Sequence, residues 1–228
     1  MALKRKPPPD NARRVQSMGG NLRYTLANKA GRIVQCESFQ ERKLALLLER
    51  DPTVRDYGSQ PEQIKWTDPE NKRHTYIPDF IVWRTDDTIE LHEVTLTQRQ
   101  GDAHNQARQA AAQAICQTRG WTYKVHTEMD LPNEAYTANL FALYAYRSTS
   151  YLDATLTEPV VTLINHGVHR VSDLIPQLHA ETHIVTPRIY ANLLHLLWQG
   201  WIVTDLDHLL FHDGLLRPDC CFQVKREA

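Results

Sequence analysis

The sequence of 228 residues predicts a mixed α/β domain followed by a small winged-helix-like domain. Helical and strand patterns alternate from residue 38 to about residue 148, in the order helix, hairpin, helix, strand, helix. After residue 150 the pattern changes to short helices that end in a small hairpin, which is typical of a winged helix. The periodicity and its change together indicate two folded domains.

The first predicted helix begins at the Ser38-Phe39-Gln40-Glu41 segment, which fits a capping box. A leucine-rich run over residues 44–48 continues at helical spacing. The Asp51-Pro52 pair ends the helix, because the residue before a proline avoids helical backbone angles.

A β-hairpin is predicted after this helix. Residues 73–84 and 88–96 are rich in aromatic and β-branched residues, and a Thr-Asp-Asp-Thr turn at 85–88 joins them. Two shorter strands are predicted before it, at 54–57 and 62–66.

A second helix is predicted over residues 102–119, because alanine and glutamine dominate this segment and Gly120 provides a C-cap. A strand at 121–127 and a helix at 133–147 complete the first domain. The first domain is therefore expected to span residues 21–148.

The second domain, at residues 151–228, follows a Ser-Thr-Ser linker. Helices are predicted at 157–166, 171–179 and 187–199, the last with proline in its first turn. A polar stripe follows one face of that last helix and predicts DNA contacts at Arg188 and Asn192. A solvated face and a protein-binding face are the alternatives, and His195 and Gln199 belong to the same stripe.

A basic, flexible arm is predicted at residues 1–20, which contain three consecutive prolines and the Gly19-Gly20 pair. An arm of this charge suits DNA phosphates, and a solvated tail is the alternative. The predicted phosphate contacts are Lys4, Arg5, Lys6, Arg13 and Arg14.

Composition excludes several classes of protein. The formal net charge of -1 is not that of a strongly basic nucleic-acid-binding domain. Four cysteines without a C-x-x-C pair exclude a zinc ribbon and favour free thiols in a reducing compartment. No apolar run reaches the ~20 residues of a membrane span, and the N-terminus lacks a secretory signal, so a cytoplasmic protein is expected.

Carboxylates on the hairpin point to metal chemistry. Asp79 lies in the first strand and Glu93 in the second, so antiparallel pairing is expected to bring them to one end of the sheet. The two-residue period of a strand puts Thr95 on the same face as Glu93. Glu41, early in the first helix, is a candidate third ligand, with helix capping as the alternative. Three such oxygen ligands suit Mg²⁺, with Mn²⁺ as a second possibility.

Histidines near the C-terminus have spacings that suit a metal, as in His166-x-x-His169 and His179-x-x-x-His183. No cysteine or carboxylate stands at a matching offset, so exposed or packed histidines are favoured over a metal site.

Four segments resemble TnsA, the endonuclease subunit of heteromeric bacterial transposases, within the PD-(D/E)xK nuclease superfamily. The similarity spans roughly residues 31–215. The segments are ERKLALLLERDPTVRDYGSQPEQI at 41–64, YIPDFIV with LHEVT at 76–95, RGWTYKVHTE at 119–128 and TPRIYANLLHLLWQGWIVTDLDHLL at 186–210.

The resemblance implies a restriction-endonuclease-like mixed sheet flanked by helices. It implies that Glu41, Asp79 and Glu93 bind the metal and act in catalysis. Thr95 occupies the position of the family's catalytic lysine, which is a departure because threonine carries no charge. Three basic residues are candidates to replace that lysine: Arg99, Lys43 and Arg108.

The resemblance also implies a reaction and partners. The protein would cleave the 5′, non-transferred strand of double-stranded DNA at transposon ends. It would work with a TnsB-like DDE transposase and a TnsC-like ATPase on the bacterial nucleoid. Because of Thr95, a weakened or inactive subunit that binds DNA and these partners is the alternative. A different nuclease of the superfamily is a third possibility, against which the winged-helix-like domain counts.

Overall fold

The computed structural model describes residues 24–68 and 71–225, and its contacts divide the chain into two units. The first unit ends at Leu131 and the second begins at Pro132. The predicted phosphate contacts of the N-terminal arm, which are Lys4, Arg5, Lys6, Arg13 and Arg14, lie outside the described residues.

Among its described residues, the first unit contains two α-helices, a short 3-10 helix at Thr97–Arg99 and several strands. The strands are β1 Tyr24–Ala27, β2 Ile33–Cys36, β3 Val54–Ser59, β4 Ile64–Thr67, β5 Arg73–Tyr76, β6 Phe80–Arg84, β7 Ile89–Val94 and β8 Thr122–His126. The helices are α1 Phe39–Arg50 and α2 Ala103–Arg119.

A four-stranded mixed sheet forms the centre of this unit, in the order β3-β6-β7-β8. Strands β3, β6 and β7 pair antiparallel, whereas β8 pairs with β7 in parallel. The parallel pairing needs a crossover, which α2 supplies between β7 and β8. This confirms the predicted mixed α/β fold of the first domain.

Helix α1 begins and ends where the sequence predicts. Ser38 is its N-cap, and the Ser38 side chain accepts a hydrogen bond from the Glu41 amide. Asp51, before Pro52, is its C-cap. The helix packs against β3 and the β1–β2 hairpin through buried leucines that include Leu44 and Leu48.

Helix α2 covers one face of the central sheet. Asp102 caps its start, and Gly120 ends it with a φ of 67° that suits glycine. The buried cluster beneath it joins α2 to the sheet and to the β4–β5 hairpin. Its members are Ile64, Tyr76, Ile81, Trp83, Leu91, Ala112 and Cys116.

The predicted strand at 73–84 is two strands in the structure. β5 pairs with β4 in a separate two-stranded sheet, whereas β6 joins the central sheet. The break falls at Ile77-Pro78-Asp79, where proline has no amide to donate to a neighbouring strand. As a result, Asp79 lies immediately before β6 rather than within a strand.

The second unit contains four α-helices among the described residues, followed by short paired strands. The helices are α3 Glu134–Tyr144, α4 Ala154–Asn165, α5 Val171–Thr182 and α6 Thr186–Gln199. The strands are β9 Ile202–Val203, β10 Phe211–His212, β11 Leu215–Leu216 and β12 Gln223–Val224. β9 pairs with β12 and β10 with β11, both antiparallel.

The division between the units falls earlier than the predicted boundary near residue 148. Helix α3 belongs to the second unit because it packs on α6, where the rings of Tyr144 and Trp198 meet edge to face. Among the helices of the described ranges, none combines the length and apolar character of a membrane span.

A buried asparagine ties α3 to the segment after β9. Asn139 Nδ2 donates to the carbonyls of Leu206 and His208, at 2.9 and 2.7 Å, and its Oδ1 accepts from the Leu210 amide at 2.9 Å. Only 1% of Asn139 is exposed. These three bonds fix the chain between β9 and β10.

We expect Asn139→Ala to lower the free energy of unfolding by about 2 kcal/mol, because the buried partners of the amide lose their hydrogen bonds. Thermal or urea unfolding measures the loss. The matched control is Gln177→Ala, an exposed position in α5 that should change stability little. Equal stability of the two variants would contradict the expectation.

Candidate functional site

Asp79 and Glu93 meet at one end of the central sheet. Phe80 pairs with His92, so one step further along the ladder Asp79 stands beside Glu93. The Val94 amide donates to Asp79 Oδ2 at 2.7 Å, which fixes this carboxylate against β7. The two strands thus place the two carboxylates together, as expected from antiparallel pairing.

Glu41 lies near this pair but serves as a helix cap in the structure. Ser38 Oγ donates to its Oε1 at 2.8 Å, and the Glu37 amide donates to its Oε2 at 2.7 Å. Both carboxylate oxygens are therefore engaged at the start of α1. The capping role that the sequence left open for Glu41 is present.

The three acidic groups repel one another. Burial raises the pKa of Asp79 well above its usual value, and the charges of Glu93 and Glu41 raise it further. Burial also raises the pKa of Glu41. Burial, together with the charge of Glu41, raises the pKa of Glu93 to about 7 although Arg108 and Tyr76 favour its ionised form.

The chemistry of this donor set fits a hard divalent cation, because carboxylate oxygens are its preferred ligands and their crowded negative charge favours a counter-ion. Within the described residues, no three His, Cys, Asp or Glu side chains are already gathered for metal coordination. Asp79 and Glu93 lie side by side, with Asp79 Oδ2 bonded to the Val94 amide and the two Glu93 oxygens contacted by Arg108 and Tyr76. For Glu41 to join them, its carboxylate must leave Ser38 and Glu37.

Arg108, from α2, is a cation in direct contact with this site. Its Nη2 lies 2.7 Å from Glu93 Oε1, and its guanidinium carbon lies 4.8 Å from the centre of the Tyr76 ring. The Tyr76 hydroxyl donates to the other Glu93 oxygen and lies 3.3 Å from the Tyr123 hydroxyl. Glu93 is thus held between an arginine and a phenol.

Thr95 is buried and continues the line of β7, where its amide donates to the His126 carbonyl at 2.9 Å. Of the three basic candidates for the missing lysine, Arg108 is the one that the structure pairs with Glu93. Lys43 is buried with its ammonium 5.3 Å from the centre of the Phe39 ring. Arg99 is exposed in the short turn before α2.

Sequence reasoning missed three residues at this site: Tyr76, Tyr123 and Cys36. Tyr76 falls in the stretch that the sequence predicts as one long strand, whereas its contact with Glu93 depends on β5 being a separate strand that ends before Pro78. Tyr123 lies on β8 opposite Leu91, and this pairing follows only from the crossover. The Cys36 thiol is fully buried, and burial with the nearby charges of Glu41 and Asp79 raises its pKa.

A second polar cluster lies on the other face of β7, where Glu90 and His92 alternate with Leu91 and Glu93. Glu90 accepts from Arg84 at 2.9 Å, lies 2.7 Å from the Lys124 ammonium and 2.9 Å from His92 Nε2. Burial alone raises the pKa of Glu90, but these three partners lower it below its ordinary value. The cluster is therefore a neutralised ion network within the sheet.

The second unit corrects part of the predicted DNA-binding stripe on α6. Asn192 is fully buried, and its Oδ1 accepts a hydrogen bond from the Asp153 amide at 2.7 Å. His195 is also buried, with Nδ1 2.8 Å from the Tyr146 carbonyl. The predicted base or phosphate contact by Asn192 is therefore wrong for this structure, because its side chain faces the core. Arg188 is exposed and pairs with Asp153 at 2.6 Å.

The histidines with regular spacing contact the backbone of the second unit. His169 Nδ1 lies 3.1 Å from the Phe222 carbonyl, and His179 Nδ1 lies 2.7 Å from the Ile184 carbonyl. His183 adopts the left-handed conformation that ends α5.

Comparison with protein families matches residues 51–128 to the model described as TnsA-like endonuclease N terminal. Asp79, Glu93, Thr95 and Arg108 lie inside the matched segment, and Glu41 lies before it. A search of curated proteins found no match.

Proposed function

Since this chain is a TnsA-like protein over residues 51–128, we propose that it is the metal-dependent endonuclease subunit of a heteromeric transposase. Its reaction would be cleavage of the 5′, non-transferred strand at transposon ends, on nucleoid DNA. The pairing of Asp79 with Glu93 at the end of β6 and β7 carries this proposal, because it gives the matched segment a charged site suited to a divalent cation.

Asp79 and Glu93 would hold Mg²⁺ or Mn²⁺, and Glu41 would join them after leaving its cap. Bound there, the cation would polarise the phosphodiester and lower the pKa of a water molecule. Hydrolysis joins the oxygen of water to phosphorus and breaks the bond to one ester oxygen, which leaves as a hydroxyl. The chain's own part is to align Asp79 through the Val94 amide and Glu93 through the Tyr76 hydroxyl.

The second unit would supply partner and DNA contacts. Its four described helices and two short strand pairs support the proposal of a winged-helix-like domain, in which exposed Arg188 is the remaining candidate for a phosphate contact. We propose a TnsB-like transposase and a TnsC-like ATPase as partners, in keeping with the TnsA-like match.

The test is strand-mapped cleavage of transposon-end DNA by the full chain with its partner transposase. Under the proposal, Mg²⁺ or Mn²⁺ produces 5′-strand nicks, and a chelator abolishes them. DNA that keeps its 5′ strand whole with either metal, while binding persists in a mobility-shift assay, would refute the nuclease.

The second candidate is a subunit that binds DNA and partners without cutting. Two observations favour it: Thr95 carries no charge, and both Glu41 oxygens are held by the α1 cap. The same assay separates the two candidates, because this subunit would increase 3′-strand processing by its partner without nicking the 5′ strand.

A further inference from the structure

Arg108 places a positive charge beside Glu93, at a site where β7 carries no lysine. Thr95, two residues after Glu93, is neutral and buried. The Arg108 side chain reaches Glu93 from α2, a different element, with Nη2 2.7 Å from Oε1. A positive charge is therefore present beside the carboxylate pair although β7 does not supply it.

Arg108 has donors to spare. A guanidinium carries five N–H groups in one plane, and the ion pair with Glu93 Oε1 is made by the Nη2 atom. The Nε atom of Arg108 is buried and has no hydrogen-bond partner among the described residues. A buried N–H without a partner is costly. The Arg108 side chain as a whole is 24% exposed, so a ligand oxygen can reach the guanidinium.

The Tyr76 ring fixes the arginine. The guanidinium carbon lies 4.8 Å from the ring centre, and the same tyrosine donates its hydroxyl to Glu93. One aromatic side chain thus orders both the cation and the carboxylate. Such an ordered fork suits a phosphate, which arginine binds through two parallel hydrogen bonds.

We propose that Arg108 binds the scissile phosphate and supplies, from α2, the charge that related nucleases take from the lysine at the Thr95 position. This inference rests on the proposed nuclease function. The role of Arg108 is limited to charge stabilisation. Because a guanidinium stays protonated at neutral pH, Arg108 stabilises negative charge on the phosphate and removes no proton from water.

The first test compares variants of Arg108 in the strand-mapped cleavage assay. Arg108→Gln should lower the rate of 5′-strand cleavage by roughly 100-fold, the usual loss when one donor to a developing oxyanion is removed. Arg108→Lys should keep a substantial part of the rate because it keeps the charge. Equal rates for wild type and Arg108→Gln would overturn the proposal.

A lysine at the family position provides the sharper test. Thr95→Lys combined with Arg108→Gln should recover cleavage lost in the single variant, since it restores a cation beside Glu93. A purely structural Arg108 predicts no recovery. If the double variant fails to fold, as judged by its thermal transition, the comparison of Arg108→Lys with Arg108→Gln decides: equal loss in both overturns the proposal.

Arg119 is the matched control. It lies on the same helix, pairs with Glu62 and lies 4.8 Å above the Trp121 ring, so it repeats the ion pair and the aromatic contact away from Asp79 and Glu93. Arg119→Gln should leave cleavage unchanged. A loss as large as that of Arg108→Gln would indicate a general effect of α2 packing and count against the proposal.

Mn²⁺ binding, measured by calorimetry without DNA, gives a readout apart from activity. Arg108→Gln should bind Mn²⁺ at least as tightly as wild type, because a competing cation has left Glu93, whereas loss of a ligand weakens binding. Weaker binding by Arg108→Gln would assign Arg108 to the metal site itself and overturn a phosphate role. If wild type leaves the 5′ strand whole, the nuclease function and this inference both fail. If wild type cleaves and Arg108→Gln cleaves at the same rate, this inference fails and the nuclease function stands.

Discussion

Replacing Asp79 with asparagine is expected to lower the rate of 5′-strand cleavage by at least roughly a thousandfold, which corresponds to about 4 kcal/mol of lost charge stabilisation in the transition state. Asparagine keeps an oxygen that accepts from the Val94 amide, so the end of the sheet should stay in place. What is lost is the negative charge shared with Glu93. Initial rates on transposon-end DNA, with Mg²⁺ and with Mn²⁺, measure the effect.

The control for this variant is Asp86→Asn, in the exposed turn of the same β6–β7 hairpin. It changes the same residue type at the opposite end of the two strands and should cleave at the rate of wild type. Both variants should bind DNA equally in a mobility-shift assay. Cleavage by Asp79→Asn within tenfold of wild type would remove Asp79 from the site.

Glu93 should make the metal-free protein less stable as the pH rises from about 4.5 to 7. Its pKa rises from an ordinary value of 4.5 to about 7 in the fold. In that range the unfolded chain has released the proton and the folded chain still holds it, so stability falls with pH. The difference amounts to about 3 kcal/mol for a buried carboxyl group.

His126 opposes this trend, since burial and the neighbouring His92 lower its pKa to about 4. Its contribution to stability therefore rises with pH in the same range. The quantity to measure is therefore the difference in the free energy of unfolding between wild type and Glu93→Gln. Urea unfolding of both proteins in chelator, from pH 4.5 to 7.5, gives this difference. Relative to wild type, Glu93→Gln should become more stable as the pH rises.

Glu158→Gln, at an exposed site in α4, is the control and should show a flat difference. A flat difference for Glu93→Gln as well would mean that Glu93 titrates like an exposed carboxyl group. Saturating Mn²⁺ should remove most of the pH dependence of wild type if the carboxylates hold the ion, because bound metal keeps them ionised.

The sequence predicts the part of the site that depends on neighbouring segments. Asp79 and Glu93 belong to one hairpin, and antiparallel pairing across a short turn fixes their approach. The capping role of Glu41 follows from three residues of local sequence. These relations need no knowledge of how distant elements pack.

Arg108 and Asn192 show where sequence reasoning ends. Helical spacing gives the face on which Arg108 lies, but its approach to Glu93 depends on how α2 packs on the sheet. Asn192 belongs to a polar stripe that resembles an exposed face. It is buried, and its side-chain oxygen accepts a hydrogen bond from the backbone amide of Asp153. Hydrophobic patterning carries no sign of such a partner.

The β4–β5 hairpin holds one member of the carboxylate pair, Glu93, from outside the central sheet. Tyr76 ends β5, outside the four-stranded sheet that carries Glu93, and a two-stranded ribbon has little stability of its own. The β4–β5 ribbon is anchored to the rest of the unit by the apolar cluster beneath α2. Local opening of this ribbon would free Glu93 from its phenol while β6 and β7 stay paired. Amide hydrogen exchange along β4 and β5 would therefore report how often the carboxylate is released, independently of global unfolding.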